Sequence, residues 1–304
     1  MLEQSMKSFF MFLSQNKAMN QAAKKWGLKL GASQVVAGQT IENAILKVKE
    51  LNEKGLICTV DHLGEFVDTR EEALDSTEYC IKTLEMIEES NVNCNLSLKM
   101  TQLGLDISYE FCLENMKRIL QTAKKYNNFV RIDMEDYAHC QQTLDILNEL
   151  RKEFDNVGTV IQAYLHRAEK DIADLKGVPL RLVKGAYKES LEVAYQDKDR
   201  IDENYFQIIK QHLLNGSYTA VASHDHMIIE KVKKFADENN IPRSLFEFQM
   251  LYGFRENLQL QLVQKGYTVR VYVPFGNDWF GYFMRRMAER PQNVSFAIKG
   301  LVSK

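Results

Sequence analysis

Eight short apolar runs recur along the chain after residue 55, and each is followed by a longer segment whose apolar positions return every three or four residues. The runs are "GLICTVDH" (55–62), "NCNLSLKM" (93–100), "FVRIDME" (129–135) and "GTVIQAY" (158–164), then "PLRLVKG" (179–185), "YTAVASH" (218–224), "LFEFQML" (245–251) and "YTVRVYV" (267–273). Each is rich in leucine or β-branched residues and bounded by Gly, Asn or Pro, the punctuation of short buried strands. The segments at 70–91, 108–126, 137–154, 167–176, 198–214, 226–239, 255–265 and 278–290 carry the helical period. Asp225 and Asp278 stand where two of these helices would start, since an aspartate there accepts hydrogen bonds from the unsatisfied first-turn N–H groups.

Strand–helix alternation implies parallel pairing through crossover connections. Eight such units in about 250 residues match a (β/α)8 barrel. The predicted architecture is therefore α/β, a (β/α)8 barrel over residues 55–304. Residues 1–54 are Lys-rich and helix-prone without a strand pattern, and predict an N-terminal helical arm packed against the barrel. A doubly wound open sheet is the runner-up, weakened because no G-x-G-x-x-G or G-x-x-x-x-G-K-[ST] follows an early strand.

Composition changes this picture little. The chain has 304 residues, 45% apolar and 26% charged, enough for a substantial core. A net charge of -2 gives no electrostatic reason to expect nucleic acid or an anionic membrane as a bulk partner. No apolar run approaches the ~20 residues of a transmembrane helix. The N-terminus lacks signal-peptide features, and the first arginine is Arg70, against an Arg-rich transit peptide. Five scattered cysteines without a C-x-x-C pair suggest reduced thiols and a cytoplasmic protein.

The chemistry gathers at the strand ends, which in a barrel form the active rim. Successive runs supply Asp61, His62 and Glu65; Lys99; Asp133 and Glu135; Gln162 and Tyr164; Arg181, Lys184 and Tyr187; Ser223, His224 and Asp225; Gln249; and Tyr272. Each has a bland explanation alone, such as a strand-end lysine reaching water. Together they favour a ligand site, because burying any one without a partner costs about 1–3 kcal/mol. His224 and His226 form an H-x-H pair, but on a strand-to-helix turn the two side chains need not converge, and Asp61, His62 and Glu65 make a poor zinc set. No metal is expected.

The last helical segment, "WFGYFMRRMAER", puts Trp279, Phe280, Phe283, Met284 and Met287 on one face and Tyr282, Arg285, Arg286 and Glu289 on the other. Adjacent arginines ordinarily mark a solvated face. Beginning at the rim, this pair can instead bind a small carboxylate or phosphate through charge-assisted bonds. On these residues alone, a Schiff-base aldolase using Lys184 and a non-enzymatic ligand-binding barrel remain open.

Six motifs in order, "LSLKMTQLGLDIS", "RIDMED", "QAYLHRA", "RLVKGAY", "FEFQMLYG" and the closing "Y…RRMAE", resemble the proline dehydrogenase family over residues 56–290. The resemblance is to the short, single-activity members. It implies an FAD-dependent barrel that oxidises L-proline to Δ1-pyrroline-5-carboxylate and passes electrons to a quinone at the membrane surface, with the enzyme peripheral at its inner face. By motif, Arg285, Arg286 and Lys99 match the residues that grip the substrate carboxylate, and Tyr272 the tyrosine against the proline ring. Asp133 and Arg181 match the catalytic pair; Met134, Gln162, Lys184, Gly185, Ala186, Ser223 and His224 match flavin-binding positions. Lys188 stands where bifunctional relatives carry the tryptophan that covers the adenine, so that contact is not carried over. Glu65, in the loop after the first strand, is expected to pair with Arg285 as a movable gate.

Overall fold

The computed structural model describes residues 32–64 and 67–289, with Phe9, Phe10, Phe12, Leu13, Met19 and Leu28. Eight strands, β1 (Ile57–His62), β2 (Cys94–Leu98), β3 (Val130–Ile132), β4 (Val157–Gln162), β5 (Leu180–Val183), β6 (Thr219–Ala222), β7 (Phe246–Leu251) and β8 (Val269–Phe275), pair in chain order. All pairings are parallel, and β8 returns to β1 with Cys58 opposite Val271 and Asp61 opposite Pro274, so the sheet closes. This is the expected (β/α)8 barrel. Among the described residues from 32 onward the α-helices are α1 (Ile41–Glu53), α2 (Arg70–Glu89), α3 (Tyr109–Lys125), α4 (Tyr137–Leu150), α5 (Ala168–Asp174), α6 (Lys198–Leu214), α7 (His226–Glu238), α8 (Glu256–Gln264) and α9 (Trp279–Glu289).

Local chemistry sets the helix starts. Thr69 and Glu72 form a reciprocal capping box on α2, the threonine hydroxyl accepting from Glu72 N and the glutamate from Thr69 N. Asp225 caps α7 by accepting from Met227 N at 3.0 Å, as its position predicts.

Within each strand the side chains alternate between two faces. Val60, Leu96, Leu98, Ile132, Leu182, Phe248 and Val271 are buried in the apolar core between sheet and helices. The alternate positions are mostly polar: Thr59, Asp61, Ser97, Arg131, Arg181, Glu247, Gln249, Arg270 and Tyr272, all buried apart from half-buried Tyr272. A barrel interior is ordinarily filled by Val, Ile and Leu. Here it holds charges, and burial of so many ions is tolerated only because each finds a partner: Arg270 and Arg181 in Glu247 and Asp133, Arg131 in the Thr159 and Pro179 carbonyls.

α1 packs against β1 and β8 on the outside of the sheet. It thereby covers the flank that the eighth helix of a regular barrel would take. α9 packs elsewhere, sharing an apolar cluster with Ala32, Val35, Val36 and Leu63, onto which Phe10, Leu13, Met19, Leu28 and Phe254 also pack. The two-faced reading of this segment needs correction at Tyr282, which is 6% exposed. Chain from before the barrel covers what a helical wheel assigns to water.

All five cysteines are buried and none is in a disulfide. Burial pushes the Cys80 and Cys94 thiols up to about 12, so both behave as small apolar groups.

His212 on α6 is fully buried, its ring bridging Thr219 Oγ1 at 2.7 Å and the Val178 carbonyl at 3.1 Å. Burial pushes its imidazole down to about 4, from 6.5. The folded protein therefore holds this ring neutral where the unfolded chain protonates it. The stability it contributes is complete above pH 6.5 and is lost as pH falls toward 4, on the order of 3 kcal/mol in all. His62 shifts in the same direction, so the test is a difference. The melting temperature of His212→Gln should fall less steeply between pH 6.5 and 4 than that of the native protein, and parallel curves would reject the assignment.

Candidate active site

Asp61 near the end of β1, Lys99 and Asp133 just after β2 and β3, and Arg181 and Tyr272 within β5 and β8 come together in one connected chain. Lys99 Nζ donates to both Asp61 oxygens, at 3.0 and 3.2 Å. The Tyr272 hydroxyl donates to Asp133 Oδ2 at 2.8 Å. Arg181 Nη1 donates to Asp133 Oδ1 at 2.5 Å, and its guanidinium carbon lies 5.2 Å from the centre of the Tyr272 ring. Charges thus alternate around the mouth, cation, anion, phenol, anion, cation, with most of the arrangement withdrawn from water.

That burial shapes the proton inventory. Desolvation raises the Asp61 carboxyl above the usual carboxylate range; the Lys99 ammonium opposes this and the nearby Asp133 charge adds to it. Burial, then the Asp133 and Asp61 carboxylates, hold the Tyr272 phenol well above its ordinary value, so it stays a hydrogen-bond donor. Deeper in the barrel, burial pushes the Arg131 guanidinium down to about 9, and the neighbouring Arg181 acts in the same sense. The His62 ring packs as a core aromatic, 4.2 Å from Tyr79 and 5.4 Å from Phe275, and burial pushes it down to about 4. Among the described residues, no group of three or more His, Cys, Asp or Glu is disposed to hold a metal ion.

The other sequence-selected residues form a rim around this floor. Gln162 Nε2 donates to the Glu135 carbonyl at 2.9 Å, and the Glu135 carboxylate accepts from the backbone and hydroxyl of Thr101, at 3.1 and 2.5 Å. Met134 is buried beside them. The β5 end continues into half-exposed Lys184 and Gly185 and exposed Ala186. Gly185 has φ +114°, and a Cβ there would strike the Tyr164 ring, so both conformation and space require glycine. Lys184 is ion-paired to Asp202 and lies 3.6 Å from Asp225. Just after β6, the Ser223 hydroxyl accepts from Asp225 N at 3.1 Å, and His224 Nε2 accepts from Leu251 N at 3.0 Å. A neutral His224 therefore carries its proton on Nδ1.

Arg285 and Arg286 are half-buried on α9, the Arg286 guanidinium 5.3 Å from the Tyr282 ring centre. Glu65 lies outside the described residues. Sequence reasoning missed Ser97 as a site residue and left Gln249 without a role, although both hold Arg181: Nη2 donates to Ser97 Oγ at 3.1 Å and Nε to Gln249 Oε1 at 2.5 Å. The polar residues at every second position of "FEFQM" and "VRVYV" carried that signal.

Comparison with known proteins bears on this geometry. A family model described as Proline dehydrogenase matches residues 44–299. The chain is 51% identical over 300 residues to Proline dehydrogenase 2 of Bacillus subtilis (strain 168), covering 98% of this chain and 99% of that protein. It is 39% identical over 311 residues to the proline dehydrogenase of Deinococcus radiodurans, covering 99% of each. Among solved structures, proline utilization A (PutA) from Bdellovibrio bacteriovorus, inactivated by N-propargylglycine, superposes with a TM-score of 0.81 at 28% identity. That match covers 87% of this chain and 32% of the PutA chain, which is much longer.

Proposed function

The chain belongs to the proline dehydrogenase family, and from that premise we propose that it oxidises L-proline to Δ1-pyrroline-5-carboxylate with FAD bound in the barrel mouth and a membrane quinone as the next acceptor. The observation that carries this reading is the Lys99–Asp61, Tyr272–Asp133–Arg181 chain of buried charges at the C-terminal mouth.

The residues present suit a flavin. A buried cation, Arg181, lies at the floor, and a polar rim of Gln162, Lys184, Gly185, Ala186, Ser223 and His224 stands beside it with Met134 as an apolar wall. In this reading Lys184, Ser223 and His224 hold the phosphates, and Gln162 and the 184–186 backbone hold the ring system. FAD supplies the two-electron acceptor that no side chain can provide. Arg285, Arg286 and Lys99 bind the substrate carboxylate and direct C5 inward, and Tyr272 packs on the ring. From the neutral ring amine, the C5 hydride would pass to that acceptor as the nitrogen lone pair forms C=N, and the resulting iminium would lose its proton to water. Arg181, fixed by Asp133, sets the field at that edge without moving during the reaction.

The aldolase alternative loses its main support. Lys184 is ion-paired to Asp202 and has Asp225 3.6 Å away, so it faces two carboxylates rather than the apolar pocket that makes a lysine amine nucleophilic. No helix among the described residues is long and apolar enough to cross a membrane. In this reading quinone reduction takes place with the enzyme peripheral at the inner face of the membrane.

Purified protein reconstituted with FAD should be yellow and should bleach anaerobically on addition of L-proline. A protein that binds no flavin, or whose flavin bands survive excess L-proline, would reject the reading.

A further inference from the structure

Strand β7 places Glu247 and Gln249 two residues apart on its inner face. Gln249 is the middle link of a chain that crosses the barrel. Arg270 donates through Nε and Nη2 to the two Glu247 oxygens, at 2.8 and 3.1 Å. Gln249 Nε2 donates to Glu247 Oε1 at 2.5 Å, and Arg181 Nε donates to Gln249 Oε1 at 2.5 Å. A carboxylate only accepts and a guanidinium only donates, so the amide between them has a single permitted orientation. Flipped, it would set its NH2 against Arg181 and its carbonyl oxygen against Glu247, two mismatches in a buried site. Strand β6 leaves room for this link: Ala220 and Ala222, in register with Glu247 and Gln249, are its contributions to the inner face, and Arg181 on β5 reaches past them to β7.

We infer that Gln249 is the positioning residue of Arg181, transmitting the Glu247–Arg270 ion pair to the guanidinium in the barrel mouth. Asp133 and Ser97 hold the two terminal nitrogens. Those contacts alone leave the group able to tilt about their axis; the third, at Nε, sets its plane and depth. Gln249 itself touches neither carboxylate-binding arginine in any bond described above, so its loss acts through Arg181. This inference rests on the assignment of Arg181 to the reacting edge.

The test uses the holoenzyme and L-proline turnover, with melting temperature as a second readout. Gln249→Leu should lower kcat roughly tenfold or more while the KM for L-proline stays within about threefold, because the carboxylate grip is untouched. Gln249→Glu sets two carboxylates side by side, and Glu247→Gln sets an amide NH2 against Arg270 in either of its orientations, so each should lose a comparable amount. The exchange variant, Glu247→Gln with Gln249→Glu, restores the order along the relay: the new amide accepts from Arg270 Nη2 and Tyr218 and donates to the new carboxylate, which accepts from Arg181, and the one mismatch left is its NH2 facing Arg270 Nε. It should raise kcat several-fold above that of Gln249→Glu. In melting temperature, Arg181→Met and Gln249→Leu combined should cost less than the sum of the two. Native kcat in Gln249→Leu with a lowered melting temperature would reduce Gln249 to a structural residue. An exchange variant no better than Gln249→Glu would overturn the relay, and decides the matter if Gln249→Leu does not fold. Arg181→Met serves as the control: native kcat there removes the reading of Arg181 itself, whereas an inactive Arg181→Met beside a native Gln249→Leu removes only the positioning role.

Discussion

Arg181→Met should lower kcat/KM for L-proline by about a hundredfold or more, and the melting temperature should fall by on the order of 10 °C. The two losses have separate origins. Removing the guanidinium takes a preorganised cation from the mouth, which costs turnover. It also leaves the Asp133 carboxylate buried near Asp61 with the Tyr272 and Ser97 hydroxyls for company. Breaking one side of a buried ion pair costs about 3–5 kcal/mol, whereas removing both sides is often nearly neutral. Arg181→Met combined with Asp133→Asn should therefore regain most of the melting temperature and none of the turnover. A double variant that recovers both, or an Arg181→Met enzyme at native rate, would make this pair a strut of the barrel with no part in the reaction.

Arg285→Met and Arg286→Met should each raise the KM for L-proline by about 10- to 150-fold, with little change in flavin content. The estimate is the loss of one charge-assisted hydrogen bond, about 1.5–3 kcal/mol. Methionine is the informative replacement because both stems are half-buried on α9, and Arg286 lies against the Tyr282 ring. It keeps the apolar stem and removes only the charge, so stability should move by about 1 kcal/mol or less. A KM unchanged in both variants would leave the pair as packing residues of α9. Loss of flavin with unchanged KM would assign them to the cofactor instead.

The barrel was legible because periodicity is local. Alternation of apolar runs and amphipathic segments reports which backbone each segment prefers, and eight repeats leave few ways to close the sheet. Strand ends were located to within a few residues, and so were the rim residues, because a parallel barrel places all C-terminal ends on one side. The roles proposed for the arginine pair and for a flavin-binding rim rest on ordered motifs that resemble a family, not on periodicity. The two-residue alternation that marks Glu247, Gln249, Arg270 and Tyr272 as one inner face was also present in the sequence. It is hard to use alone, because a buried parallel strand is expected to be apolar on both faces.

Partnership was decided only by the tertiary structure. Arg181 is held by Ser97, Asp133 and Gln249, which lie 84, 48 and 68 residues away along the chain, and no spacing rule connects such positions. Closure of the sheet makes them neighbours, and the cost of burying an unpaired ion then selects which of them meet. The same holds at α9, where the helical wheel correctly places Trp279, Phe280 and Phe283 in an apolar cluster but cannot know that residues 32–36 cover it and bury Tyr282 as well. It holds again at α1, whose pattern says only that it is an amphipathic helix; the open flank between β8 and β1 decides where it packs. Local pattern alone set the backbone preferences, the count of strand–helix units and the end of the barrel at which polar residues gather. Which charges neutralise one another, and which faces see water, depended on contacts between distant segments, whose energies exist only once the chain has closed.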